Sequence, residues 1–426
     1  MSSKPAKSSI TAPRGFRAAG ITCGLKPSGQ PDLALVVSDR LCSAAGVFTQ
    51  SRFPGAPVIV GKRHLRRGHA QAIVCNSGIA NVATGEVGLR DALAMCDQVA
   101  ASVGCDRHQV LPASTGLIGP CLPMDKVSRG IATLASKLSR GPTADAETAH
   151  GIMTTDLVPK SAHRSLRPTR TPQPSRAKAV RGSEAKPSTT LVHLGGIAKG
   201  SGMISPDLAT MLCFITTDAA ITPPTLRTAL RTAVSRTFNR ITVDSDTSTS
   251  DMVLILANGA AGHAEIGSAG HDHEKFVAAL TDLCQDLAYQ IVSDGEGATK
   301  VFQVRIQHAA THRDADRVGR AVADSPLVKT AVHGGDPNWG RLLMAVGKSG
   351  ARIESNKLSL TIGDVVVFQR GTGCRLDAGA NRKIRRLLGS KQIVFTVDLG
   401  LGQAAAQWLG CDLSRQYVTI NTEYTT

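Results

Sequence analysis

Between residues 195 and 219 the chain reads GGIAKGSGMISPDLATMLCFITTDA. Glycines and Pro206 crowd the approach to Ala209 and Thr210, and the apolar run Met211 to Ile215 follows at once. A hydroxyl therefore stands at the mouth of a buried strand. A threonine in that position can attack the carbonyl of the residue before it, giving an ester by N-to-O acyl shift that water then cleaves. The new chain would begin at Thr210. Its free α-amino group, with a reference pKa of roughly 7.7 to 8.0, could then serve as base for its own hydroxyl. An ordinary buried threonine that satisfies backbone groups in a turn fits the same residues.

A strand of this kind needs a core around it, and 426 residues suffice for two or three domains of roughly 100 to 200 residues each. Apolar residues make up 42% and charged residues 19% of the chain, without any run of about 18 apolar positions. Collagen-like, wholly disordered and helix-spanning membrane classes are thereby excluded. Short β-branched runs bounded by turn formers predict strands at Asp32 to Asp39, Pro57 to Gly61 and Gln71 to Asn76. Further strands are expected at Met252 to Ala257, Leu358 to Ile362, Val365 to Gln369, Ile393 to Val397 and Tyr417 to Ile420. Apolar residues at i, i+3 and i+4 predict amphipathic helices over Leu89 to Val103, Leu226 to Phe238 and Phe276 to Val292. The mixture indicates a layered α/β or α+β architecture.

The formal charge of +16 raises the possibility of a polyanionic partner. However, eight basic residues (Lys160, Arg164, Arg167, Arg170, Arg176, Lys178, Arg181 and Lys186) against Glu184 alone fall in one Pro-rich stretch. That stretch reads as a solvated insertion. Aromatic residues reach only 3%, a poor endowment for stacking on bases, so nucleic acid is not the expected partner. Residues 1–15 lack the apolar segment of a secretory signal, which makes the cytoplasm the default expectation. Most of the ten cysteines, without paired spacing, read as reduced core residues. His263, His271 and His273 with Glu274 read as loop residues, not metal ligands. Gly347, Lys348 and Ser349 do not complete a phosphate-binding loop, because Leu342 stands where its first glycine is required.

Eight blocks occur in an order that resembles the ornithine acetyltransferase (glutamate N-acetyltransferase) family of arginine biosynthesis. They are ITAPRGFRAAGI at 10–21, NSGIAN at 76–81, PASTGLIG at 112–119, MTTD at 153–156, FNRITVDSDTSTSD at 238–251, DGEGATK at 294–300, GGDPNWGR at 334–341 and INTEYTT at 420–426. The resemblance is nearly end to end. It implies a self-processing, N-terminal-nucleophile-like α/β sandwich with a second, smaller α/β domain. Cleavage at Ala209–Thr210 would give an α chain of 1–209, containing the basic insert 157–188, and a β chain of 210–426.

The same resemblance assigns roles. Thr210 would be the nucleophile, and Thr115 with Gly116 the oxyanion hole, although the latter pair also reads as a simple turn. Lys199 would bind a substrate carboxylate, and Glu296 would assist proton transfer or orient the substrate. One of Thr154 and Thr155, together with Asn421 and Thr426, would touch the substrate. Asp244, Asp246 and Asp251 are expected to shape the site through turns and hydrogen bonds. Trp339 would be a packing anchor. The implied reaction moves acetyl from N2-acetyl-L-ornithine to L-glutamate without a cofactor, within an α2β2 assembly, and some family members also accept acetyl-CoA. Ile79 and Ser245 stand where the family has Asn and Gly, and the insert replaces a compact strand-bearing segment. A self-cleaving amidase or peptidase, or a paralogue with altered substrate, therefore remains an alternative.

Overall fold

The computed structural model describes residues 8–168, 191–205 and 211–423. Its strands are β1 (Phe16–Ile21), β2 (Leu33–Phe48), β3 (His69–Ile79), β4 (Val110–Leu117), β5 (Lys160–Leu166), β6 (Val192–Lys199), β7 (Leu212–Thr217), β8 (Ile241–Thr242), β9 (Met252–Ala257), β10 (Val301–Ala309), β11 (Ser359–Ile362), β12 (Val365–Gln369), β13 (Thr372–Gly373), β14 (Gln392–Asp398) and β15 (Ala404–Cys411). Its helices are α1 (Ala56–His64), α2 (Gly85–Val103), α3 (Met124–Lys137), α4 (Pro142–Ile152), α5 (Pro223–Arg236), α6 (His271–Ser293), α7 (His312–Ala323), α8 (Pro326–Gly334), α9 (Trp339–Gly347), α10 (Ala378–Leu388) and α11 (Arg415–Glu423).

One sheet runs β4-β3-β2-β9-β7-β6-β5, with β1 paired to β2. Its central strands β7 and β9 lie side by side in parallel; β9 and the first four residues of β7 are unbroken apolar runs, as suits strands covered on both faces. Cys213, Ile215, Val253 and Ile255 pack beneath α5 and α6, against Leu226, Leu230, Phe276, Leu283 and Leu287. Leu212, Phe214, Leu254 and Leu256 face the other way, toward Phe16, Ala149 and Ile152. A second, smaller sheet runs β13-β12-β11-β14-β10-β15-β8. Its own core joins Phe302, Val304, Ile306, Phe395 and Trp408 to Val318, Val322, Val332, Leu342 and Ile384 of the helices beside it. The expected layered α/β architecture with a second, smaller α/β unit is borne out.

Three local expectations are corrected. Pro57 to Gly61 belongs to α1, a helix with proline in its first turn, where the missing N–H costs nothing. Most of its faces are buried, so it carries the continuous apolar run expected of a strand. Tyr417 to Ile420 is helical, within α11. His271 and His273 open α6, whereas His263 accepts the Ala220 N–H at Nε2, 3.1 Å away. No group of three or more His, Cys, Asp or Glu side chains suited to a metal ion occurs among the described residues, and none of their helices is long and apolar enough to cross a membrane.

The basic stretch expected to be a solvated insertion over 157–188 is a strand at its start. β5 pairs with β6 in antiparallel register, from Lys160 opposite Ala198 to Leu166 opposite Val192. Lys160 is fully buried, and its Nζ lies 2.6 Å from both Asp156 Oδ1 and Asp294 Oδ2. Two carboxylates and the need to extend the sheet thus override the solvating tendency of the charge run. Residues 169–190, which include the remainder of that stretch, lie outside the described residues.

Burial opposes ionisation of Asp156. The ammonium groups of Lys199 and Lys160 outweigh it and hold the carboxyl down at about 2, against 3.8 ordinarily. Its contribution to stability should therefore be complete above about pH 4 and fade as pH falls toward 2. Lys160→Met takes away the ammonium 2.6 Å from Asp294 and leaves Asp156 to Lys199 alone, and should destabilise the protein by about 3–5 kcal/mol in urea unfolding. A loss below about 1 kcal/mol would show that the network is solvated after all.

Candidate active site

Parallel pairing of β3 and β4 sets Ser77 opposite Thr115 and Gly78 opposite Gly116 at the ends of both strands. The approach is so close that a Cβ on Gly116 would lie 2.3 Å from the Gly78 carbonyl carbon, and Gly116 has a φ of +124°. Only glycine meets both conditions. The segment is held from below by Ser114, whose hydroxyl donates to Asn76 Oδ1 at 2.6 Å.

β6 brings Lys199 to the same end of the sheet, where its ammonium donates to the Thr115 hydroxyl at 3.4 Å. Lys199 is buried. Burial pushes its ammonium below the ordinary value, Asp156 pulls it upward, and Lys160 adds to the depression. The Gly200 N–H donates to Asp156 Oδ1 at 2.7 Å, which ties the turn after β6 to the buried ion pairs. Antiparallel pairing then sets Leu212 of β7 opposite Lys199. Thr210, the expected nucleophile, and Ala209 precede that strand in sequence and lie outside the described residues, as does Thr426.

The other predicted residues converge from distant parts of the chain. A cavity of about 880 Å³ is lined by Thr115, Gly116, Thr154, Thr155, Lys199, Glu296 and Asn421, among others. Glu296 is largely buried. Its N–H donates to the Ser201 carbonyl at 2.8 Å, and its Oε2 accepts from Asn421 Nδ2 at 2.8 Å. A Cβ on Gly202 would fall 2.5 Å from the Glu296 carboxyl carbon, so glycine there makes room for the carboxylate. α11 thus folds back onto the pocket instead of fraying.

Thr154 and Thr155 play different parts. The Thr154 N–H donates to Asp156 Oδ2 at 3.0 Å, whereas the Thr155 hydroxyl is 2.6 Å from that of Ser201. Asp244 accepts the Met203 and Ile204 N–H groups at 2.5 and 2.9 Å, and burial raises its carboxyl to about 6 despite those bonds. Asp251 is fully buried and accepts the Met211 N–H at 2.7 Å. Burial raises its carboxyl well above the ordinary range. Both aspartates therefore hold the described ends of the connection between β6 and β7, while Asp246 sits exposed beside Asp244. Trp339 packs against Phe368, with ring centroids 5.8 Å apart, away from the cavity.

Sequence reasoning missed the structural part of Asp156, Lys160 and Asp294. The two aspartates stand inside the MTTD and DGEGATK blocks, but their shared lysine lies 134 residues from Asp294. No local pattern announces such a pairing.

A buried ammonium, a hydroxyl and a glycine-enforced backbone turn around one cavity define an α/β enzyme suited to acyl transfer. The chain belongs to the ArgJ family, whose model matches residues 17–426. The protein named arginine biosynthesis bifunctional protein ArgJ in Symbiobacterium thermophilum is 45% identical over 419 residues, covering 98% of each chain. Its namesake in Deinococcus radiodurans is 43% identical over 418 residues, again with 98% of each covered. Among solved structures, a chain of the Bacillus halodurans ArgJ protein is 38% identical and aligns with 50% of this chain and 98% of its own, at a TM-score of 0.48. A chain of Mycobacterium tuberculosis ornithine acetyltransferase, complexed with ornithine, is 35% identical and aligns with 47% of this chain and 96% of its own, at a TM-score of 0.39.

Gly116→Ala tests the geometry of the β3–β4 end. The added methyl must push Gly78 away, which would turn the Gly116 N–H off the oxyanion that the resemblance assigns to it, and a misaimed donor of that kind costs about 10²–10³ in turnover. The expected result is a folded protein with kcat reduced by at least about 100-fold. Turnover close to wild type would mean that this strand end does not meet the reacting oxygen.

Proposed function

We propose that the chain is a glutamate N-acetyltransferase that moves acetyl from N2-acetyl-L-ornithine to L-glutamate. The name carried by its relatives, arginine biosynthesis bifunctional protein, agrees with this reading. The observation that carries it is the meeting of Thr115, Gly116, Lys199, Glu296 and Asn421 around one cavity at the mouth of β7. Self-cleavage at Ala209–Thr210 yields an α chain of 1–209 and a β chain of 210–426, and frees the α-amino group of Thr210 to act as base for its hydroxyl.

Thr210 Oγ attacks the acetyl carbonyl of the donor. The negative charge that develops on the carbonyl oxygen is met by the Thr115 hydroxyl and the Gly116 N–H, each worth about 2.7–4 kcal/mol in such a role. Lys199 holds the α-carboxylate common to donor and acceptor. Its own hydrogen bond to Thr115 polarises that hydroxyl toward donation. Collapse of the intermediate breaks the C–N bond, and the α-amine of ornithine leaves with a proton delivered through the Thr210 amino group. Glu296, fixed by Asn421, orients the amine that departs and the amine that arrives. The α-amine of glutamate then attacks the acetyl-threonine ester, and the threonine hydroxyl is regenerated.

No cofactor takes part in these steps. Acetyl-CoA-dependent formation of N-acetylglutamate is the second activity to assay. The assembly that fits the reading is an α2β2 heterotetramer in the cytoplasm. The alternative is an amidase or peptidase in which water replaces glutamate.

Initial rates with both substrates varied should give parallel double-reciprocal plots, with ornithine released in step with acetylglutamate. Ornithine release at full rate without glutamate would instead identify a hydrolase.

A further inference from the structure

We propose that Lys26 forms the subsite for the side-chain carboxylate of the acceptor, an inference that rests on the transferase reading above. The loop between β1 and β2 walls one side of the cavity and contributes Lys26 to its lining. Fully buried Asp32 pins this loop. Its carboxylate accepts the N–H groups of Cys23, Gly24, Leu25 and Lys26 at 2.6, 3.0, 2.6 and 3.2 Å. The backbone of Lys26 is thus fixed by a charge-assisted cluster.

From that anchor the side chain runs across Gly78. A Cβ added to Gly78 would sit 3.3 Å from Cγ of Lys26, and Gly78 is the strand partner of Gly116. The lysine stem therefore lies one strand away from the backbone turn assigned to the oxyanion. Its ammonium donates to the Pro31 carbonyl at 2.6 Å, which leaves donors to spare. Among the described residues no carboxylate lies within ion-pair distance of it. Burial lowers its pKa, Asp32 and Asp156 pull it upward, and Lys199 pushes it down, so the two ammonium groups share one electrostatic neighbourhood.

A half-buried cation with no carboxylate in direct contact is costly unless a ligand supplies one. Glutamate carries two carboxylates. Lys199 accounts for the one beside the reacting amine, and the second needs another cation on the same wall. The donor ends in an ammonium at the corresponding position, which Lys26 repels. One residue thereby acts in opposite senses on the two half-reactions, favouring glutamate and disfavouring the donor.

Lys26→Met keeps the stem on Gly78 and removes only the charge. The KM for glutamate should rise by about tenfold or more, while that for N2-acetyl-L-ornithine does not follow it upward. Preference for glutamate over glutamine as acceptor should shrink by a similar factor, and Lys26→Arg should restore part of it. An unchanged KM for glutamate, an unchanged preference over glutamine, or an equal rise in both Michaelis constants would overturn the subsite. Wild-type protein that releases no ornithine from N2-acetyl-L-ornithine would instead overturn the transferase reading, and the subsite with it.

Discussion

Four charges buried at one end of the larger sheet hold the site in place. Lys160 bridges Asp156 and Asp294 at 2.6 Å to each, and Asp156 in turn accepts the Gly200 N–H and lowers the electrostatic cost of burying Lys199. Each ion alone would be too expensive to take out of water. Together they sum to zero and satisfy one another. The network links the residues before β5, the turn after β6 and the C-terminal end of α6. Asp294 also accepts the Leu157 N–H at 3.0 Å, so the segment carrying Thr154 and Thr155 is tied to the same point.

Function grows out of that electrostatic anchor. A lysine held dry beside a threonine hydroxyl and a glycine turn can recognise a carboxylate while the neighbouring donors meet developing negative charge. The connection from Lys199 to β7 is fastened on both sides, by Asp244 at Met203 and Ile204 and by Asp251 at Met211. Its ends are therefore fixed relative to Lys199. That is the condition under which a single hydroxyl could be both cleaved free and reused as a nucleophile.

Much of this was legible in the sequence wherever period and burial agree. β9 and β12 match the expected strands residue for residue, because β-branched runs bounded by turn formers have few other outlets. α1 was misread because its residues are buried on most sides, which erases the helical stripe. β5 was hidden by Lys160 and Arg164, whose charges are met by Asp294, Asp282 and Asp286 far along the chain as well as by Asp156. Ordered motifs identified Lys199, Glu296 and Asn421, and the structure brings all three to the cavity. The pairing of Lys160 with Asp294 and the place of Lys26 above Gly78 depend on tertiary approach alone, for which one sequence carries no local signal.

The central claim is that one threonine is first released by cleavage and then carries the acetyl group. Intact mass spectrometry of the purified protein, before and after mixing with N2-acetyl-L-ornithine in the absence of glutamate, tests it directly. The account predicts two fragments that meet at Ala209 and Thr210, one acetyl group gained by the β chain and lost on adding glutamate, and an uncut Thr210→Ala chain that gains none. A wild-type chain that stays whole yet transfers acetyl, or a mutant that still becomes acetylated, would contradict it.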